Sequence, residues 1–392
     1  MKSPEKRFPH GFLSEFLSAV ESGEVSTPPE VQKKKKQLCK KYGIKRIPTN
    51  AEILSALGMD IPLLLTKPTR SISGVSVVAI MTSPQPCPGK CIYCPAGEAA
   101  QSYTGHEPAA LRARRARFKA GRQVRDRINQ LEAIGHPTSK IELIVMGGTF
   151  TAMPKTYQER FVLDAFNALN EKKSLTIQEA HRLNESSRHR CIGLTFEVRP
   201  DYCKKSDINS MLYFGATRVE LGVQTIYDEI YKKIGRGHSV EDVVKATQLL
   251  KDSFLKVGYH LMPGLPFSTQ EKDLRMFQMV FSDERFKPDM LKIYPCLLAK
   301  REFYDERGAK IFKLYESGRW KPLTNEEAVE LIARAKQYFP KWVRVMRIQR
   351  DVPKPYIEAG VTAGNLRELV QERAKELGIK CRCIRCREIR RE

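Results

Sequence analysis

The sequence predicts an α/β protein built on an open, partial (βα)6 barrel, with a basic helical extension at its N-terminus and a small Cys-rich segment at its C-terminus. Three observations lead there. From residue 75 onward, short β-branched apolar runs alternate with amphipathic helical stretches, the pattern of βα repeats on a parallel sheet. Six such runs fit into about 220 residues, too few for a full eight-fold barrel. Charged and glycine residues recur where each run ends, and the strand ends of such barrels are where chemistry gathers.

Residues 1–70 read as a basic helical leader. Within it Phe12, Leu13, Phe16, Leu17 and Val20 make one amphipathic face. Between 31 and 51 stand eight basic residues and no acid, including Lys33, Lys34, Lys35 and Lys36. A solvated helix face mixes both signs, so a one-sided run favours phosphate contact. Strands are expected at 75–82, 141–146, 191–198, 218–223, 256–262 and 290–295, with helices at 108–134, 155–171, 204–214, 239–254 and 270–282. Beyond residue 320 come a helix at 324–338, a strand-like 343–348, a Pro-bracketed loop at 352–355 and a helix at 365–377. The division is thus an RNA-binding extension (1–70), a barrel (71–320) and a C-terminal extension carrying a metal-binding segment (321–392).

The 392 residues are 41% hydrophobic, which excludes a disordered chain. Lys and Arg number 68 against 45 Asp and Glu, a net charge of +23 that marks either a solubility device or a polyanion partner. No apolar run approaches the ~20 residues that span a bilayer, and no signal peptide is present, so no membrane is expected. Six of the ten cysteines fall in two tight groups, suited to metal ligation rather than disulfides. Cys39, Cys191, Cys203 and Cys296 read as small core residues. A cytoplasmic compartment suits such thiols.

The first group is Cys87-Pro-Gly-Lys-Cys91-Ile-Tyr-Cys94, on a loop leaving a buried strand. Four thiolates would suit tetrahedral zinc or a fully ligated iron–sulfur cluster, whereas three leave one position open. This loop resembles that of radical S-adenosylmethionine (SAM) enzymes, in which SAM chelates the open iron of a 4Fe–4S cluster and is cleaved to a carbon radical. A three-Cys zinc site with a distant His, or a purely structural cluster, are the other readings.

At the strand ends, Gly147, Gly148 and Thr149 would let a ligand approach the backbone and offer carbonyls to the methionine ammonium of SAM, though paired glycines are also ordinary turn chemistry. Glu197 and Arg199 share a face; Glu197 suits a ribose hydroxyl and Arg199 a carboxylate or phosphate, the alternative being a structural ion pair. Glu220 and Gln224 offer a carboxylate and an amide at the same height. The 262–266 turn would pack over adenine or simply turn the chain. Lys292 and Tyr294 point into the mouth as catalytic candidates for a polar substrate or radical relay, or cap the barrel rim.

Between 112 and 127 lie eight basic residues and one acid, with Arg112, Arg115 and Lys119 at i, i+3 and i+7 on one helical face. Arginine binds phosphate bidentately and stacks on bases. This helix begins shortly after the cysteine loop, so the expected substrate is RNA with one base exposed from a single-stranded loop. The C-terminal Cys381, Cys383 and Cys386 form a zinc candidate lacking its fourth ligand, or an exposed thiol cluster, or a site completed from elsewhere.

Taken together the motifs resemble the catalytic subunit of Elongator and its archaeal and bacterial single-chain relatives. The match is carried by the cysteine loop, Gln101-Ser-Tyr-Thr-Gly-His-Glu-Pro108, Val145-Met-Gly-Gly-Thr-Phe150, Glu197-Val-Arg-Pro-Asp-Tyr202, Arg218-Val-Glu-Leu-Gly-Val-Gln224, Gly235-Arg-Gly-His238, Leu291-Lys-Ile-Tyr-Pro295, Val345-Met-Arg-Ile-Gln-Arg-Asp351 and Gly364-Asn-Leu-Arg-Glu368. The basic composition is archaeal-like. The resemblance implies a radical SAM barrel and a tRNA uridine acyltransferase that uses SAM and acetyl-CoA to build a carboxymethyl group on carbon five of the wobble uridine, in the anticodon stem-loop. The family carries an acetyltransferase domain, and no R/Q-x-x-G-x-G/A pyrophosphate loop is found here. The chain is therefore expected to supply the 4Fe–4S, SAM and tRNA-binding part, with a separate acetyltransferase domain or Elongator-like subunits as partners. Two other readings stand beside it: an iron–sulfur or zinc tRNA-binding protein without complete activity, and a radical SAM enzyme acting on another substrate.

Overall fold

The computed structural model of the protein describes residues 8–59, 61–65, 71–97 and 99–388; the expected boundary at residue 70 lies outside them. The N-terminal part folds into α1 (Phe12–Glu21), α2 (Pro28–Lys41) and α3 (Asn50–Leu57). Capping boxes start α2 at Thr27/Glu30 and α3 at Thr49/Glu52, and Pro28 occupies the first turn, where its missing N–H costs nothing. Phe12, Phe16, Leu38, Ile53 and Leu64 make a separate small core.

Seven parallel strands then form one sheet. They are β1 (Val75–Met81), β2 (Lys140–Met146), β3 (Arg190–Val198), β4 (Arg218–Gln224), β5 (Lys256–Leu261), β6 (Met290–Ile293) and, after the two-residue β7 (Leu298–Ala299), β8 (Arg344–Ile348). Their order is β1-β2-β3-β4-β5-β6-β8, and a small antiparallel ladder joins β7 to β9 (Ile357–Ala359). The six expected strands are all present. The strand-like 343–348 is not a separate appendage but the seventh strand of the same open barrel, paired with β6 through Leu291–Val345 and Ile293–Ile348.

The helices are α4 (Pro108–Arg115), α5 (Ala120–Glu132), α6 (Lys155–Asn170), α7 (Ile177–Asn184), α8 (Lys205–Tyr213), α9 (Asp228–Ile234), α10 (Val240–Asp252), α11 (Gln270–Ser282), α12 (Ala309–Glu316), α13 (Asn325–Ala335), α14 (Leu366–Glu376) and α15 (Ile384–Arg387). Among the described residues none is long and apolar enough to cross a membrane.

Strand alternation decides which face meets the helices. Val78, Ile80, Leu143, Val145, Leu194, Phe196, Val219, Leu221, Val257, Tyr259, Leu261, Leu291 and Ile293 are buried in the main core. Burying each larger one contributes roughly 1.5–3 kcal/mol. The intervening residues Glu142, Glu197, Arg218, Glu220, His260 and Lys292 pair with one another across strands, so the concave face is charged where a closed barrel would be aliphatic.

The single helix expected over 108–134 breaks in two. Arg117 and Phe118 take left-handed backbone (φ 52° and 55°), and the N–H groups of Arg117 and Phe118 bond the carbonyls of Arg114 and Ala113, a Schellman closure. Lys119 consequently starts α5 and leaves the face shared by Arg112 and Arg115.

Candidate active site

The cysteine loop follows β1 and is pinned from three sides. Ile92 N–H donates to the Ile234 carbonyl at 3.0 Å, and Ala96 N–H to that of Phe303 at 2.7 Å. Gly89 lies so close to Arg199 Nη1 that a Cβ there would clash, and a Cβ on Gly235 would stand 2.7 Å from the Lys90 carbonyl oxygen. Cys91 is buried, and Cys87 and Cys94 are half-buried. Each sulfur has a donor: Gly89 N–H on Cys87 at 3.4 Å, Arg236 Nη1 on Cys91 at 3.5 Å and Gln101 Nε2 on Cys94 at 3.6 Å. Burial, with Cys91 beside it, pushes the Cys94 thiol up to about 12. Such a thiol becomes a thiolate at neutral pH only by binding a metal.

Two other groups of ligand atoms, Cys381/Cys383/Cys386 and Glu197/Glu220/His260, each lie within 4.8 Å of one another. Thiolates on one zinc ion stand about 3.8 Å apart by tetrahedral geometry, which the tail cysteines approach. Thiolates on different irons of a cubane stand further apart, and Cys87, Cys91 and Cys94 are not among the groups so close.

Beside the loop, the end of β2 runs into Gly147 (φ 112°) and Gly148 (φ 56°). A Cβ on Gly147 would stand 2.7 Å from Thr82 Oγ1 and 2.9 Å from the Ala100 methyl, so only glycine fits. Gln224, at the end of β4, also has left-handed backbone (φ 72°), uncommon without glycine and typical of ligand sites. Around these strand ends the buried polar atoms Thr149 Oγ1, Thr195 Oγ1, Arg199 Nη1, Gln224 Oε1 and Thr225 Oγ1 have no hydrogen-bond partner. Unpaired buried polar groups cost roughly 1–3 kcal/mol each, and a set of them suits a polar ligand.

Glu197 and Arg199 serve different neighbours. The Arg199 guanidinium forks onto Asp201 at 3.0 and 2.8 Å and donates to the Arg236 carbonyl at 2.8 Å, leaving Nη1 toward Gly89. Glu197 accepts from Lys292 Nζ at 2.8 Å and from Tyr103 Oη at 3.4 Å. The same ammonium also holds Glu220, which pairs further with His260 at 2.8 Å and Arg218 at 3.3 Å. Burial alone would raise the Glu220 carboxyl, but Lys292, His260 and Arg218 hold it well below the usual range. Burial opposes the charge of Lys292, yet the two carboxylates keep it firmly protonated. The Lys292 ammonium fills the space between Glu197 and Glu220 that a metal ion would take. Tyr294 packs edge-on to His260, with burial raising its phenol to about 12.

Of the basic residues, Lys33 and Lys36 are exposed on α2. Lys34 pairs with Glu24 at 2.8 Å. Lys35 departs from the expectation: it is buried, its ammonium donating to the Pro48 carbonyl at 2.9 Å and to Asn50 at 3.0 Å, so it ties α2 to the start of α3 and presents nothing to phosphate. Arg115 is exposed; Arg112 is half-buried, and burial near Arg127 lowers its guanidinium to about 10, still fully charged.

The tail cysteines pack beside the start of β8, where Ile384 N–H bonds the Val343 carbonyl, at the opposite strand ends from the cysteine loop. Lys336 donates to Cys386 at 3.4 Å; Cys381, Cys383 and that ammonium hold the Cys386 thiol low. Among the described residues no fourth His, Cys, Asp or Glu joins the three.

Sequence reasoning missed Arg236, Tyr103 and His260. Only the strand period of β5, which puts His260 two positions beyond Gly258, could have found the last. Gly258 stands opposite Glu220 and makes room for it, a Cβ there lying 3.0 Å from Glu220 Cγ.

Comparison with known proteins places three family models on the chain: the ELP3 N-terminal domain at 12–72, the radical SAM superfamily at 83–280 and the radical SAM C-terminal domain at 288–376. The tRNA uridine(34) acetyltransferase of Methanocaldococcus infernus is 52% identical over 354 residues, 87% of this chain and 65% of that protein. Human Elongator complex protein 3 is 41% identical over 387 residues, 94% of this chain and 70% of its own. The solved structure of archaeal M. infernus Elp3 with an N-terminal deletion (1–46) superposes with a TM-score of 0.69 at 48% identity, covering 80% of this chain and 65% of that one. The chain thus spans about two-thirds of the length of the curated relatives it matches.

Proposed function

The chain belongs to the radical SAM superfamily and, within it, to the family of the tRNA uridine(34) acetyltransferases and Elongator complex protein 3, and on that premise we propose that it supplies the cluster, SAM-binding and RNA-binding part of an enzyme that modifies the wobble uridine of tRNA. The observation that carries this reading is the set of unpaired buried polar atoms on the strands that lead to the mouth, together with three cysteines whose sulfurs each have a hydrogen-bond donor. A ligand rich in donors and acceptors, as SAM is, would satisfy them.

Cys87, Cys91 and Cys94 would hold the 4Fe–4S cluster. Bound together, cluster and SAM supply a one-electron cleavage of the sulfonium and hydrogen-atom abstraction. This chain's residues bind and orient. Gly147 and Gly148 bring peptide groups to the amino acid end of SAM, with Thr149 and Gln224 completing the contact. Arg199 Nη1 faces the cysteine loop, where a carboxylate would sit, and Glu197 can take a ribose hydroxyl through the oxygen that Tyr103 holds only at 3.4 Å. Lys292 and Tyr294 keep the floor of the mouth polar and dry. The two-carbon unit added at carbon five comes, in this reading, from acetyl-CoA and ends as a carboxymethyl group. Lys33, Lys36, Arg112 and Arg115 hold the tRNA by its phosphates. Cys381, Cys383 and Cys386 are proposed to bind zinc.

Anaerobic incubation of the reconstituted protein with SAM and dithionite tests the reading. Formation of 5′-deoxyadenosine, accelerated by tRNA, is expected. Its absence in protein with full iron content and intact absorbance near 400 nm would leave an iron–sulfur RNA-binding protein instead.

A further inference from the structure

Arg236 is buried at 8% exposure with a guanidinium that no carboxylate meets within 4 Å among the described residues. Removing an unpaired cation from water is costly, so a counter-charge is expected where the guanidinium points. Nη1 points at the Cys91 sulfur, 3.5 Å away, and Nη2 at the Gly222 carbonyl. Nε has no partner.

A glycine at 222 makes room for the group. A Cβ on Gly222 would stand 2.8 Å from Nη2, and Gly235 and Gly237 flank Arg236 with φ of 71° and 79°. The Arg236 carbonyl is in turn held by Arg199 at 2.8 Å. The counter-charge that fits is the Cys91 thiolate, present whenever the loop holds a metal.

Resting on the iron–sulfur reading above, we propose that Arg236 sets the reduction potential of the cluster held by Cys87, Cys91 and Cys94. One electron from a low-potential one-electron donor makes the cluster more negative by one charge, part of it on the ligand sulfurs. A fixed guanidinium donating to one of those sulfurs stabilises the reduced cluster more than the oxidised one and raises the potential. Arg236 touches neither SAM nor RNA in this role; it is a positioning residue acting through Cys91. It also ties the cysteine loop to Gly222, two residues before Gln224, so the cluster and the end of β4 are held by one group.

The test is a mediated redox titration of anaerobically reconstituted parent, R236K and R236Q, following bleaching near 400 nm and the electron paramagnetic resonance of the reduced cluster. In R236Q the equilibrium constant for reduction should fall ten- to a hundredfold, a shift of about 60–120 mV downward for one electron. R236K should fall between, because its ammonium keeps the charge but cannot hold sulfur and carbonyl together. Iron content should stay at the parent level. If R236Q fails to fold, R236K carries the test alone, and a change below twofold in its reduction equilibrium overturns the inference. Parent and variants with equal cluster and equal potential overturn it while leaving the iron–sulfur reading intact. A parent that takes up no cluster overturns both.

Discussion

Replacing Lys292 by Met should destabilise the barrel by about 3 kcal/mol, at the lower end of the 3–5 kcal/mol that follows from removing one member of a buried ion pair. The ammonium is shared between Glu197, at 2.8 Å, and Glu220, which is 2% exposed. Without it, Glu142 and Glu220 share the guanidinium of Arg218, and Glu197 is left with His260 at 4.0 Å. His260, 2.8 Å from Glu220, can take up a proton and recover part of the loss, which is why the lower figure applies. Urea unfolding followed by far-ultraviolet circular dichroism reads the difference at a series of pH values. Glu220 is held below its ordinary value of 4.5 in the folded parent. Its stabilising contribution is therefore present above the unfolded pKa and lost as pH falls through the folded one. The gap between parent and K292M should be wide at pH 7 and close as the medium falls below the ordinary carboxylate value of 4.5. Adding E220Q to K292M should restore part of it. A loss below about 1 kcal/mol at pH 7, or a gap that widens on acidification, would refute the shared-ammonium network.

Three further outcomes are expected. G147A forces a Cβ against Thr82 and Ala100, so SAM affinity measured by equilibrium dialysis should drop at least tenfold while iron content holds; unchanged affinity would remove Gly147 from the SAM site. K33Q/K36Q should flatten the log–log salt dependence of tRNA binding by about 1.4, from about 0.7 per phosphate contact, whereas K35M should lower the unfolding midpoint of the N-terminal helices through loss of its bonds to Pro48 and Asn50. Burial raises the carboxyl of Asp273 to about 6, above an ordinary 3.8, despite bonds from Gly264 N–H and Ser268. A raised folded pKa means stability is lost as pH climbs from about 4 to about 6, by roughly 3 kcal/mol, and D273N should flatten that segment of the stability–pH curve.

The strands were legible because burial on the helix-facing side demands unbroken β-branched and aromatic residues at every second position. The seventh was harder to join to them, since Arg344, Met346 and Arg347 interrupt its apolar pattern and its pairing with β6 is a long-range event. The break between α4 and α5 left no trace because Arg117 occupies the left-handed position where glycine is the usual signal. The cysteine loop could be read directly, its three cysteines lying within eight residues. Arg236 could not, being 145 positions from the sulfur it meets. Nor could Lys35 be separated from three lysine neighbours, since only the packing of α2 decides which of them turns inward.

Gly89, Gly147 and Gly235 each admit a neighbour into the space a side chain would fill, and the neighbours are Arg199, Ala100 and the backbone of Lys90. The segment carrying the three sulfurs is thus interlocked with the turns after β2, β3 and α9 rather than draped over them. Metal-free protein should keep this shape, so iron delivery becomes insertion into a ready cradle and not a folding step. Oxidative loss of the cluster would leave a chain that can be reloaded repeatedly. Amide hydrogen exchange over 87–97 should then be nearly the same before and after reconstitution, and a single methyl at Gly89 or Gly235 should make reloading, not folding, the step that fails.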